Sequence, residues 1–189
     1  MSRTMTHTST DAAEHGTLTS LTQLFGHTMN GTQVQAIEIP LFQRDYAQGR
    51  QTEQVTQVRK RFIADLCAAL DGGHTLHLDF VFGDVVNGTL YPLDGQQRLT
   101  TLFLLHCYLA WHQAEMPPQP WHAFRYATRP GARKFCEFLT QCHLNMATHD
   151  SSAGLCDQAY YLPTWKHDPS IQGMLVVLDS IFNRIIRNR

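Results

Sequence analysis

"YPLDGQQRLTTLF", residues 91–103, sets an acid, a glycine, two amides and an arginine between a short apolar run and a long one. From Leu99 to Trp111 the chain is apolar nearly all round, which predicts a helix buried on every side. Just upstream, "LHLDFVFGDVVNGTLYPL" (76–93) consists of two β-rich runs split by Asn87-Gly88, a dipeptide suited to a two-residue hairpin turn. The polar knot therefore lies where a hairpin hands the chain to a central helix.

Two readings of the knot are open. In the first, Asp94 is the helix N-cap and Gln97, three residues on, completes a capping box with an acid in place of Ser or Thr. That explains two of five residues. It leaves Arg98 without a purpose, and Gly95 too, since glycine in a first turn weakens a helix. In the second, the knot is a phosphate site. A helix N-terminus presents free N–H groups and the positive end of the dipole, and a glycine there lets an anion come close. Arg98 then forks onto phosphate oxygens, with Gln96 and Gln97 as further donors. Asp94 would repel a bare phosphate, so this reading favours a nucleotide with Mg²⁺, the acid holding the metal or orienting a water.

Working outward, "VQAIEIP" (34–40) alternates like a strand that stops at Pro40, and "LTSLTQLFG" (18–26) predicts a short helix before it. Between Thr52 and Leu70, Val55, Val58, Phe62, Leu66 and Leu70 recur at helical spacing, with Arg59, Lys60 and Arg61 mostly to the other side. Gly72-Gly73 ends that helix. Beyond the Pro-rich "MPPQP" (116–120), helices are expected at about 130–143 and 168–187, the latter with Asp168 as N-cap and Pro169 in its first turn. The order of elements predicts an α/β (α+β) domain of few strands around a central buried helix, at 18–115. A disordered tail (1–17) precedes it, and an incomplete helical region (116–189) follows.

A chain of 189 residues with a formal net charge of -1 has no global basic field for nucleic acid. Its five cysteines form no C-x-x-C pair and read as reduced thiols of a cytoplasmic protein. The polar N-terminus lacks the apolar core of a signal peptide, and the run from Leu102 to Trp111 is about half of a membrane span. A zinc site at His74 and His77 or at Cys142-His143 lacks converging ligands, and there is no P-loop motif. His106 reads as a satisfied core histidine rather than a base.

A second polar cluster, "QRDY" (43–46) with Arg50, follows the strand that ends at Pro40. Loops after strands are where α/β folds place their sites, and Gln43, Arg44, Asp45 and Tyr46 offer a fork, an acid and an aromatic face. The plainer account is a solvated loop with an Arg–Asp pair. Arg125, Arg129 and Arg133, interleaved with Phe124 and Tyr126, form the most basic local patch and are candidates for nucleic-acid or nucleotide contact. The plainer account there is surface or interdomain ion pairs.

Together, "IPLFQRDYAQGR" and "LDGQQRLTTLFLL", with "FVFGDV" between them and "FRYATRPGARKFCEFL" after, resemble the N-terminal domain of GmrSD-type, modification-dependent restriction endonucleases in the ParB/sulfiredoxin-like superfamily. The likeness covers roughly residues 34–189. It implies a nucleoside-triphosphate-binding and hydrolysing sensor, GTP- or UTP-like, of an anti-phage restriction system acting on modified DNA. On that resemblance the nucleotide-binding set is Gln43, Arg44, Asp45, Tyr46, Gly95, Gln96, Gln97, Arg98 and Thr100. Asp94, Gln97 and Arg98 are the catalytic residues, Asp94 is the Mg²⁺ residue, and a nuclease domain or subunit is the partner. DNA cleavage by this chain alone is not expected, because the family's long helical region and HNH-type domain are not complete here. A cysteine-based sulfinic acid reductase is excluded, since Gln96 and Gln97 stand where sulfiredoxins carry a cysteine. The alternative is a non-catalytic ParB-like DNA-binding or assembly module.

Overall fold

The computed structural model describes residues 16–29, 31–40, 43, 45–113, 117–127, 130–142, 144 and 152–186. Arg44, Arg129, His143 and most of the expected tail lie outside them.

A four-stranded mixed sheet forms the centre, in the order β4 (Phe82–Val86), β5 (Thr89–Asp94), β3 (Ala36–Ile39) and β6 (Phe124–Tyr126). The hairpin falls at the expected place: β4 and β5 pair antiparallel, with Val86 opposite Thr89. Asn87 and Gly88 both take positive φ, 50° and 77°, as a two-residue turn between twisted strands requires. β3 runs parallel to β5 on one side and to β6 on the other. Ahead of the sheet, the short helix α1 (Leu21–Leu24) carries a capping box from Ser20 and Gln23, and Thr28–Met29 and Thr32–Gln33 (β1 and β2) make a small separate hairpin.

The central helix α3 (Gln96–Ala110) buries Leu99, Phe103, Leu104, Cys107 and Tyr108, as its continuous apolar run predicts. The segment after residue 116 reads in sequence as helices, yet its first strand, β6, closes one edge of the sheet. Phe124 on that strand stacks on Phe103 with ring centroids 4.7 Å apart. α4 (Pro130–Gln141), the short α5 (Ala153–Cys156) and α6 (Pro169–Ile186) follow. α6 packs against α3, α2 (Glu53–Gly72) and α4, and its Phe182 meets Tyr108 edge-on at 4.9 Å. The buried apolar side chains form one core from Leu21 to Phe182.

α2 departs from the expected face. Val58 and Leu70 are exposed, and the buried residues are Arg59, Ile63, Leu66 and Cys67. Those four positions also lie on one helical stripe, rotated from the apolar one. α6 decides between the two, because Arg59 Nε donates to Ser180 Oγ at 3.2 Å. Asp168 starts α6 as expected, its carboxylate accepting from the N–H groups of Ser170 (2.9 Å) and Ile171 (3.2 Å).

Candidate functional site

The two polar clusters, about fifty residues apart in sequence, meet at the start of α3. Gln43 Nε2 donates to the carbonyls of Leu93 (2.8 Å) and Pro92 (3.3 Å), at the end of β5. Gln97 answers from the other side. Its Oε1 accepts from the backbone N–H of Ala47 (2.9 Å) and Gln48 (3.3 Å), and its Nε2 donates to the Asp45 carbonyl (3.2 Å). Between them lies a cavity of about 520 Å³, lined by Gln43, Gln48, Asp94, Gly95, Gln96, Gln97 and Arg98.

The helix start is not built as a capping box. Asp94 is the last residue of β5, the N-cap is Gly95, and no side chain caps α3. The capping reading of Asp94 and Gln97 is thereby corrected: the chain turns through Gly95 at φ 89°, a left-handed backbone that an aspartate N-cap does not supply. A close approach does require this glycine, but it comes from the protein itself. A Cβ at Gly95 would stand 2.8 Å from Val81 Cγ2 and 3.2 Å from Val81 Cα, on the loop that leads into β4. Arg98 holds the same loop. Its Nη2 donates to the Phe80 carbonyl at 2.6 Å, and Asp79 and Asp94 each lie 3.6 Å from the guanidinium. Both carboxylates are well exposed, so these pairs contribute little.

Several buried polar atoms of residues that line the cavity have no partner among the described residues: Gln96 Nε2 and Oε1, Gln48 Oε1 and Arg98 Nε. Gln96 is 4% exposed. Buried polar groups left unpaired cost on the order of 1–3 kcal/mol each, so hydrogen-bonding capacity gathers beside this cavity that water or a polar ligand can take up.

Two residues of the expected set, Tyr46 and Thr100, face the core. Tyr46 is buried, its hydroxyl 2.6 Å from Thr101 Oγ1, and burial pushes its phenol well above the ordinary tyrosine value. Thr100 is fully buried against the Tyr126 hydroxyl at 2.9 Å, so it lines no part of the cavity. The Asp45 carbonyl is taken by Gln97. Arg125 Nε donates to Glu38, and Arg133 lies 4.0 Å from the same carboxylate and 3.8 Å from Glu137. His106 Nδ1 donates to the Leu102 carbonyl at 2.8 Å and the ring rests against Trp121, and burial lowers its pKa.

Sequence reasoning missed two supports of the site. Arg59 Nη1 donates to the carbonyls of Gln48 (2.6 Å) and Arg50 (3.1 Å), which ties the 45–50 loop to α2; burial lowers its pKa. Its spacing to Ile63 and Leu66 was the available signal. Gly173 on α6 is the other support, and it lets Gly49 of the same loop lie directly on the helix backbone.

The GmrSD restriction endonuclease N-terminal domain model matches residues 21–182. The chain belongs to this family. No curated protein and no solved structure matches it. As a GmrSD N-terminal domain the chain is a component of a restriction system, and that membership points to DNA and a nuclease as partners. Among the described residues, no helix is long and apolar enough to cross a membrane, and no group of three or more His, Cys, Asp or Glu side chains is gathered to hold a metal ion.

Proposed function

We propose that this GmrSD N-terminal domain binds and hydrolyses a nucleoside triphosphate, GTP- or UTP-like, at the cavity in front of α3. Turnover serves as the sensing step of a restriction system that acts on modified DNA, with cleavage carried out by a nuclease domain or subunit. The observation that supports this reading is the set of buried polar atoms of Gln48, Gln96 and Arg98, unpartnered among the described residues, on side chains that line one cavity beside a helix start with no side-chain cap. Arg98 Nε and Gln96 Nε2 are donors for phosphate oxygens, and the N–H groups of the first helical turn add the positive end of the helix dipole.

Asp94 is the carboxylate of the cavity lining. Mg²⁺ commonly binds through one or two carboxylates, with substrate phosphates and waters completing its shell, and this donor set fits that pattern. Asp94 would hold the ion, which when bound neutralises phosphate charge. Gln43 and Gln97 shape the cavity by fixing the loops on either side of it. The alternative of duplex binding through Arg125, Arg129 and Arg133 has less support, because Arg125 and Arg133 already converge on Glu38.

Titration calorimetry with GTP, UTP, ATP and CTP, with and without Mg²⁺, tests the reading on the wild type and on Arg98→Ala. Binding by the wild type and its loss in a folded Arg98→Ala is the expected result. A folded wild type that takes up none of the four nucleotides would sink it.

A further inference from the structure

Gln96 and Gln97 are neighbours in sequence with opposite surroundings. Both ends of the Gln97 amide are committed to the 45–48 backbone. Gln96 lines the cavity, and both ends of its buried amide have no partner among the described residues. Which end is oxygen does not matter, since exchanging the two still leaves one donor and one acceptor unmet.

That pairing of needs constrains the ligand. An ionised phosphate offers acceptors only, so it satisfies Nε2 and leaves Oε1 wanting an O–H or N–H donor. A water held against a phosphate satisfies both at once: Nε2 donates to a phosphate oxygen while Oε1 accepts from the water. We infer that Gln96, rather than Gln97, is the catalytic residue that holds the attacking water against the terminal phosphate. This inference rests on the nucleotide reading of the cavity given above. The water oxygen forms the new bond to the terminal phosphorus, and the bridging P–O bond breaks with its electron pair leaving on the nucleoside diphosphate. Both hydrogens of the water depart with the inorganic phosphate, which then ionises. The neutral amide takes no proton; it supplies position.

The test compares wild type, Gln96→Leu and Gln97→Leu of the full chain. Phosphate release is measured with and without duplex DNA, nucleotide Kd by calorimetry and Tm by thermal unfolding. Gln96→Leu is expected to lose at least about 100-fold in kcat. Its nucleotide Kd should weaken by no more than about tenfold, the share of its one hydrogen bond to phosphate, so that the loss falls mainly on kcat. Its Tm should not fall, because leucine removes two unpaired buried atoms. Gln97→Leu should lower Tm instead. Retained turnover in Gln96→Leu overturns the assignment. So does a loss of affinity matching the loss of turnover, which would place Gln96 on a sugar hydroxyl or a base. A wild type that binds nucleotide yet releases no phosphate under either condition overturns it while leaving the phosphate site standing. A folded wild type that binds no nucleotide removes the site reading itself.

Discussion

Gly49 and Gly173 meet backbone to backbone: a Cβ placed on Gly49 would stand 2.1 Å from the Gly173 Cα and 2.4 Å from its carbonyl oxygen. The loop that carries the first polar cluster is thus seated on a helix more than a hundred residues later in the chain. Tyr46 N donates to Ser170 Oγ at 3.3 Å in the same seam. Gly49→Ala cannot be absorbed by moving a flexible side chain, because the obstacle is backbone. Denaturant unfolding should show a loss of about 1–3 kcal/mol. Nucleotide affinity should weaken as well, since Gln48 on the cavity wall is the preceding residue.

Arg59 offers a second handle on that loop, from α2. Its guanidinium reaches the carbonyls of Gln48 and Arg50 and the hydroxyl of Ser180 from a buried position. Arg59→Met should cost on the order of 3 kcal/mol by chemical denaturation. Arg59→Lys should recover little of it, because a single ammonium cannot span the separate acceptors of a planar fork.

Asp94 and Gln97 separate chemistry from architecture. Asp94→Asn removes no helix cap, so its unfolding free energy should stay within about 0.5 kcal/mol of wild type while phosphate release falls. Gln97→Leu leaves the N–H groups of Ala47 and Gln48 without their acceptor and should lower stability by about 1–3 kcal/mol. An Asp94→Ala variant destabilised by about 1 kcal/mol or more would restore the capping reading, which Asn does not test because it caps as well as Asp.

Burial lowers the pKa of His106 and of His122. A histidine held below its ordinary value binds fewer protons folded than unfolded, so its contribution is complete above about pH 6.5 and is lost as pH falls through the folded value. Tm should therefore be lower at pH 5.5 than at pH 7.5. The gap should narrow in His106→Met, which has no proton to take up. An unchanged gap in that variant would exclude His106 as its source.

Much of the fold was legible in the sequence because its signals are local. Asn87-Gly88 fixes a turn through its own backbone preferences, Asp168-Pro169 starts α6 with its own carboxylate, and the unbroken apolar run after Leu99 needs burial wherever the chain goes. The α2 face was not legible in this way. Val58 and Arg59 offer competing stripes, and Ser180 on α6 turns the arginine inward. Strand β6 was hidden for a related reason: three residues carry little periodicity, and pairing with β3 is what makes them a strand.

For the site, the sequence by itself determined that two Gln/Arg/Asp clusters exist and that one of them opens a buried helix. It also determined the family, since the order and spacing of those motifs are properties of the chain. Only the tertiary structure decided what each residue does. Gln97 and Gln43 are taken up by backbone groups of the opposite cluster, Gly95 makes room for Val81, and Arg98 reaches Phe80. Gln96, which lines the cavity, is left with an amide that no described residue pairs. Neighbouring glutamines have the same hydrogen-bonding capacity in sequence, and the difference between them arises from which groups the folded chain brings within about 3 Å of each amide.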